Sequence, residues 1–156
     1  MSFYNNDFAG AYIDIIVNIN YFDIKFIESI RYKLNQIITT QNDDNKRTKV
    51  KNIYYPGDYI RLYNDINDTG NIDAKTSDPN NNINKVENYN KPYWNLGNWN
   101  FSCIRNNIAD YINNQLTNRE VSRFYGNYFI VRFIFDYNNN RIEFESLDYK
   151  LTDKRI

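Results

Sequence analysis

The chain has 156 residues, 19 basic and 19 acidic side chains, no histidine and one cysteine. That length suits a single domain, 1–156, able to bury a core without disulfides or metals. One sulfur excludes an intrachain disulfide and a thiolate metal cluster, and the missing histidine excludes the commonest catalytic base, so no enzymatic activity and no cofactor are expected.

The zero formal charge points to neither a polyanion nor a membrane surface as an obligatory partner. The opening MSFYNNDFAG lacks a basic stretch followed by an apolar one, and no apolar run approaches the length of a membrane-spanning helix. Neither secretion by the general route nor membrane contact is expected. Tyr, Asn, Ile and Lys are all abundant; their codons are AT-rich, so part of this bias is genomic.

Residues 1–11 read as a polar arm carrying Phe3, Tyr4 and Phe8, suited to packing on this domain or on a neighbouring subunit. In residues 12–19, Ile13, Ile15, Val17 and Ile19 alternate with Tyr12, Asp14 and Asn18, the period of a half-buried strand. Over 22–38 the apolar residues Ile24, Ile27, Leu34 and Ile38 fall at helical spacing, with Asn20 or Asp23 as a cap and Glu28 early in the element. This predicts the first helix, ended by a polar loop.

Two strands are predicted at 49–55 and 58–63 around Pro56-Gly57, a dipeptide suited to a turn or kink. Residues 64–92 are rich in Asn, Asp, Gly and Pro and read as a long polar surface loop, ordered by a partner. Aromatic character returns at 93–104, with Trp94 and Leu96 before a Gly97-Asn98 turn and Trp99, Phe101 and Cys103 alternating as a strand. Residues 106–116 predict a short second helix through Ile108, Tyr111, Ile112 and Leu116, with Asn106 as its cap.

Residues 127–136 carry Phe129, Val131, Phe133 and Phe135 on one face and Ile130, Arg132 and Ile134 on the other. Apolar residues on both faces place this strand centrally in its sheet. A turn at Asn138-Asn139-Asn140 then returns the chain through 141–151, where the apolar parity flips and predicts a bulge near Glu145-Ser146. The expected order is β-α-β-β-loop-β-α-β-β, an α+β fold with an antiparallel or mixed sheet and two helices.

Three clusters are candidates for chemistry. Asp65, Asn67, Thr69 and Asp73, with Gly70 between them, imitate the oxygen spacing of an EF-hand calcium loop, but position 12 is Thr76 rather than a bidentate Glu, and a strand precedes the loop. Lys46, Arg47, Lys49 and Lys51 precede Tyr54, Tyr55 and Tyr59, the interleaving of cations and aromatics that can track a phosphate backbone and stack bases. Asp43, Asp44 and Asp58 dilute that field. Glu143 and Glu145 alternate with Ile142 and Phe144 as a solvent face does, with Arg132 as the expected cross-strand partner. Cys103 reads as a small half-buried strand residue. No Walker, GxSxG, CxxC or HExxH motif is present.

The Asn/Tyr/Ile-rich style resembles small virion proteins of AT-rich phages of gut Bacteroidetes, the crAss-like group. The run FIESIRYKLNQII followed by VKNIYYPGDYIRLY resembles the helix-then-strands opening of tail-terminator or tail-completion proteins, and YFIVRFIFDYNNNRIEFESL resembles the strand pair they assemble into rings. The likeness lies in the order of elements, so it assigns no residue roles. It implies a non-enzymatic head–tail connector or ring subunit, a homo-oligomer among other virion proteins, assembled in the host cytoplasm.

Two other functions fit the same lack of chemistry. One is an inhibitor of a host defence protein. The other is a single-stranded nucleic-acid binder using Lys49 and Lys51. Phe3, Tyr4, Phe8, Lys49, Lys51, Tyr54, Tyr55 and Trp94 are the expected contact residues.

Overall fold

A computed structural model describes residues 10–19, 24–41, 43–80, 91–102, 104–106, 123–136 and 141–153. It corrects the expected fold class. No helix occurs among the described residues, and the α+β expectation gives way to two antiparallel sheets packed face to face. The strands are β1 (Gly10–Asn18), β2 (Lys25–Gln41), β3 (Arg47–Tyr55), β4 (Tyr59–Tyr63), β5 (Ile72–Asp73), β6 (Tyr93–Asn95), β7 (Asn98–Phe101), β8 (Tyr125–Gly126), β9 (Tyr128–Asp136) and β10 (Arg141–Asp153). The first sheet has the order β1-β9-β4-β5; the second has β10-β2-β7-β6, with β3 and β8 also paired to β2.

The predicted helix at 22–38 is the main error. From Lys25 it is the 17-residue strand β2, roughly 55 Å long at about 3.3 Å per residue. Its apolar residues satisfy both periods. The strand period prevails because Ile30, Tyr32 and Leu34 all point into the core. β10 pairs along one side of β2, while β8, β7 and β3 share the other. A helix here would leave those four strands without their ladder partner. The second predicted helix, 106–116, lies outside the described residues beyond Asn106. Asn106 itself accepts a hydrogen bond from the Asp68 amide at 3.2 Å.

Pro56-Gly57 is a corner rather than a hairpin turn. β3 leaves the second sheet there and the chain enters the first as β4. Gly57 takes φ +88°, open to a residue without Cβ, and the Tyr32 hydroxyl donates to the Pro56 carbonyl at 2.7 Å. The expected β9–β10 hairpin is also corrected, since those strands belong to different sheets. β9 instead packs across β10 through Phe129–Tyr149 and Phe133–Phe144, and across β2 through Phe133–Tyr32. The turn at 138–140 lies outside the described residues.

The core combines Phe129, Val131 and Phe133 of β9, Ile60 and Leu62 of β4, Ile30, Tyr32 and Leu34 of β2, and Trp99 and Phe101 of β7, all essentially inaccessible. As expected, β9 is central, between β1 and β4. The bulge in β10 also falls where the parity flips, with Phe144 opposite Leu34 and Ser146 opposite Lys33, so Glu145 is the extra residue. β6 and β7 close on a two-residue turn, Leu96-Gly97, with φ of 52° and 83°, the mirror-image geometry that suits a twisted hairpin.

The first half of the expected surface loop is built into the sheet. Thr69 returns to Leu62 through N–H···O at 2.9 Å, β5 pairs with Tyr59 and Ile60, and Ala74 is fully buried. Asn64 anchors the segment by donating to the carbonyls of Tyr125 and Tyr128 at 3.0 and 3.1 Å. That approach requires Gly126, where a Cβ would meet Asn64 Nδ2 at 2.5 Å. Residues 81–90 lie outside the described set.

Candidate interaction surfaces

The outward residues of β1, β9 and β4 form four rows across the first sheet. Asn18 lies beside Tyr128; Ile16 beside Ile130 and Tyr63; Asp14 beside Arg132 and Arg61; and Tyr12 beside Ile134 and Tyr59. The charged row holds two ion pairs side by side. Arg132 grips Asp14 with two donors, at 2.8 and 2.9 Å, and Arg61 donates to Asp68 at 2.9 Å. The guanidinium of Arg132 sits 4.0 Å from the centre of the Tyr12 ring, and that of Arg61 4.3 Å from Tyr63. The hydrogen bond from Arg132 holds the Asp14 carboxyl below its usual range, and that from Arg61 does the same for Asp68. Arg132 therefore pairs with Asp14, not with Glu143 or Glu145 as the sequence suggested.

β1 is the outer strand of this sheet. Its nine residues match β9 one for one with no register shift. The Ile19 amide donates to Asn127 at 3.0 Å, which fixes the alternation: odd residues of β1 direct their amides and carbonyls toward β9. The corresponding groups of Gly10, Tyr12, Asp14, Ile16 and Asn18 face away from the sheet. Tyr12 is 55% and Ile16 66% exposed. Asp14 is the only charge on the strand, and Arg132 neutralises it.

β10, the outer strand of the second sheet, is built differently. It carries Arg141, Glu143, Glu145, Asp148, Lys150 and Asp153. Its register with β2 shifts twice, once at Glu145 and once where Lys150 faces Ser29 and Leu151 faces Ile27. The Glu145 carboxylate accepts from Asn35 Nδ2 at 2.8 Å, which lowers its pKa. Cross-strand ion pairs line the outer face: Arg31–Asp148 at 3.7 Å and Lys33–Glu145 at 3.9 Å, with Arg141–Glu143 at 3.4 Å along β10.

The structure separates the residues expected to act together. Lys49 and Lys51 are exposed on β3, whereas Tyr55 is buried against Phe135 and Tyr59 lies in the other sheet under Lys75. Tyr54 remains exposed and packs edge-on against Trp94, ring centres 4.8 Å apart. The calcium-like ring does not form. Asp73 sits opposite Tyr59 and Asp65 lies past Tyr63, so the length of β4, roughly 13 Å, separates two would-be ligands. Calcium holds its oxygens at about 2.3–2.6 Å. Asn67 and Thr69 point inward, bonded to Tyr125 and Leu62. Among the described residues no three His, Cys, Asp or Glu side chains gather to hold a metal. Phe3, Tyr4, Phe8 and Cys103 lie outside the described residues.

Sequence reasoning missed Tyr12, Asp14, Ile16, Arg61 and Tyr63 as one surface. The available signal was the outward parity of three strands, each carrying aromatic or aliphatic residues around one charge. Their order in the sheet was needed to align the rows. No protein-family model matches the chain, and no curated protein proves similar in sequence.

Proposed function

We propose that this chain is a non-enzymatic structural subunit that assembles with copies of itself through the edge of β1 that pairs with no other strand among the described residues. The observation that carries this reading is the contrast in edge protection. A regular strand edge with five outward-facing backbone positions is a ready template for another strand. Natural edges are blunted by bulges, lysines or prolines, and β1 has none of these. A second β1 is the partner of matching length. Antiparallel pairing about a twofold axis sets Tyr12 of one copy against Ile16 of the other and joins two four-stranded sheets into one. The same register sets Asp14 against its copy, a repulsion eased because each carboxylate already holds an arginine.

The particle setting is a separate part of the proposal. It draws on the resemblance to phage head–tail and tail-terminator-like subunits, assembled in the host cytoplasm with other virion proteins. The helix that contributed to that likeness is a strand, so the setting now rests on composition and on the strand-rich remainder.

Native mass measurement tests the assembly step. The expected result is an even-numbered oligomer that dissociates on Ile16→Pro, a change that removes an outward amide and spares the ladder to β9. A monomer at every concentration, or an oligomer unaffected by Ile16→Pro, overturns the reading.

A further inference from the structure

We infer that the outer face of the β2–β3 arm binds the phosphate backbone of double-stranded nucleic acid through Arg47, Lys49 and Lys51. This goes beyond self-assembly and rests on different residues. Past Ile37, which faces Arg141 of β10, the only partner of β2 among the described residues is β3, so 38–41 and 47–50 pair as a two-stranded ribbon. Apart from half-buried Ile38, its residues are exposed.

Register places the three cations together. Arg47 lies opposite Gln41, Lys49 opposite Thr39 and Lys51 opposite Ile37, with no shift between them. Directly opposed residues share a face, and residues two apart in a strand recur every 6.6–6.8 Å or so. The result is a straight row of cations on one side. Thr48 and Val50 occupy the other side with Thr40 and Ile38.

The row differs from its surroundings in lacking counter-charges. Farther down the same sheet face, Arg31, Lys33 and Arg141 each have a carboxylate within ion-pair range. Among the described residues Arg47, Lys49 and Lys51 have none. The nearby carboxylates are Asp43 and Asp44 in the turn, with Lys46 beside them, and Glu145, which is bonded to Asn35 and lies close enough to Lys51 to sense its charge. A chain with no net charge has thus segregated positive charge onto one exposed ribbon face.

Two features favour a duplex backbone over other anions. A two-stranded ribbon fits the major groove, about 12 Å wide. The row also contains no aromatic anchor of the kind that dominates protein interfaces. Tyr55 and Tyr59 point elsewhere, and Tyr54, exposed beyond Lys51, packs edge-on against Trp94, so this row contacts phosphates rather than stacking bases, and the binding is independent of sequence.

The test is fluorescence anisotropy of a labelled mixed-sequence duplex with the full chain. Three phosphate contacts predict a logarithmic salt slope of about −2.7, an affinity loss of about 40-fold between about 50 and 200 mM salt. Lys49→Glu/Lys51→Glu should abolish binding, and Lys49→Gln/Lys51→Gln should weaken it while sparing the fold. Arg31→Gln, which removes a paired cation from the same sheet face, should leave it unchanged. Absence of binding, binding unaffected by the lysine changes, or equal loss with Arg31→Gln overturns the inference. Displacement of the duplex by polyglutamate as readily as by unlabelled duplex overturns it in favour of an acidic protein. Repeating the titration with Ile16→Pro separates failure of this site from failure of assembly.

Discussion

Two of the outer strands, β1 and β10, solve the same problem in opposite ways, while the short strands β5 and β6 end the other sides of the two sheets. β10 has six charged residues among thirteen and a backbone broken by a bulge at Glu145, so a second strand finds neither a flat ladder nor an apolar face. β1 has one neutralised charge among nine residues and an unbroken register. Guarding β10 while leaving β1 flat directs strand addition to β1 rather than to β10. Pairing of β1 with its own copy about a twofold axis uses the same edge on both molecules and so closes as a pair.

The largest expected effect comes from Phe133, on which both edges depend. It lies opposite Ile13 of β1 and packs 6.3 Å from the Phe144 ring of β10. Phe133→Ala should lower stability by about 3–5 kcal/mol, the cost of an aromatic-sized cavity, read as a fall in the denaturant midpoint.

Next is a contrast between neighbours in β1. Val17 directs its amide inward and Ile16 outward. Val17→Pro should cost about 1–3 kcal/mol or more by stranding a β9 carbonyl. Ile16→Pro should unfold at nearly the wild-type midpoint while losing self-association. Equal destabilisation by both would refute the assigned direction of the edge.

A third change sharpens the comparison from the other side. Deleting Glu145 removes the extra residue and straightens β10, while Phe144 and Leu147 keep facing the core. It also leaves Asn35, already 97% buried with an unpartnered Oδ1, without its remaining side-chain bond. Far-ultraviolet circular dichroism should stay strand-like, and the apparent mass should rise with concentration beyond the wild-type state. An unchanged mass would mean that the bulge does not guard the edge.

Acid should produce the smallest effect. Asp14, Asp68 and Glu28 have folded-state pKa values below their usual range, the first two chiefly through arginine hydrogen bonds and Glu28 chiefly through Thr152. A depressed carboxylate contributes stability that is complete above the unfolded values, about 3.9 for Asp and 4.3 for Glu, and is lost as pH falls through the folded ones. Thermal midpoints should therefore hold near neutrality and decline below about pH 4. Asp14→Asn should remove part of that slope, and an identical slope in the variant would dismiss the Asp14–Arg132 pair as a contributor.

The sequence was most legible where alternation was clean. The inward faces of β1, β4 and β9, the Glu145 bulge and the position of the corner at Pro56-Gly57 all followed from parity and turn chemistry. It misled at 25–41, where an apolar pattern at helical spacing also satisfies period two and only the partners can choose. It likewise misjudged 64–80, whose Asn and Asp residues looked like a solvated loop. Asn64, Asn67 and Thr69 are instead internal hydrogen-bonding groups that replace a ladder. The open edge was invisible for a related reason, since nothing local distinguishes a strand with two neighbours from a strand with one.

The sequence by itself determined which side chains avoid water in β1, β4 and β9 and which chemistries lack their residues. Those depend on composition and on a two-residue period that every strand carries locally. Only the tertiary structure decided which strands pair, that β9 and β10 face each other across the core instead of pairing in one sheet, and that Arg132 meets Asp14. Those outcomes depend on long-range closure of backbone hydrogen bonds, which no short window of sequence contains.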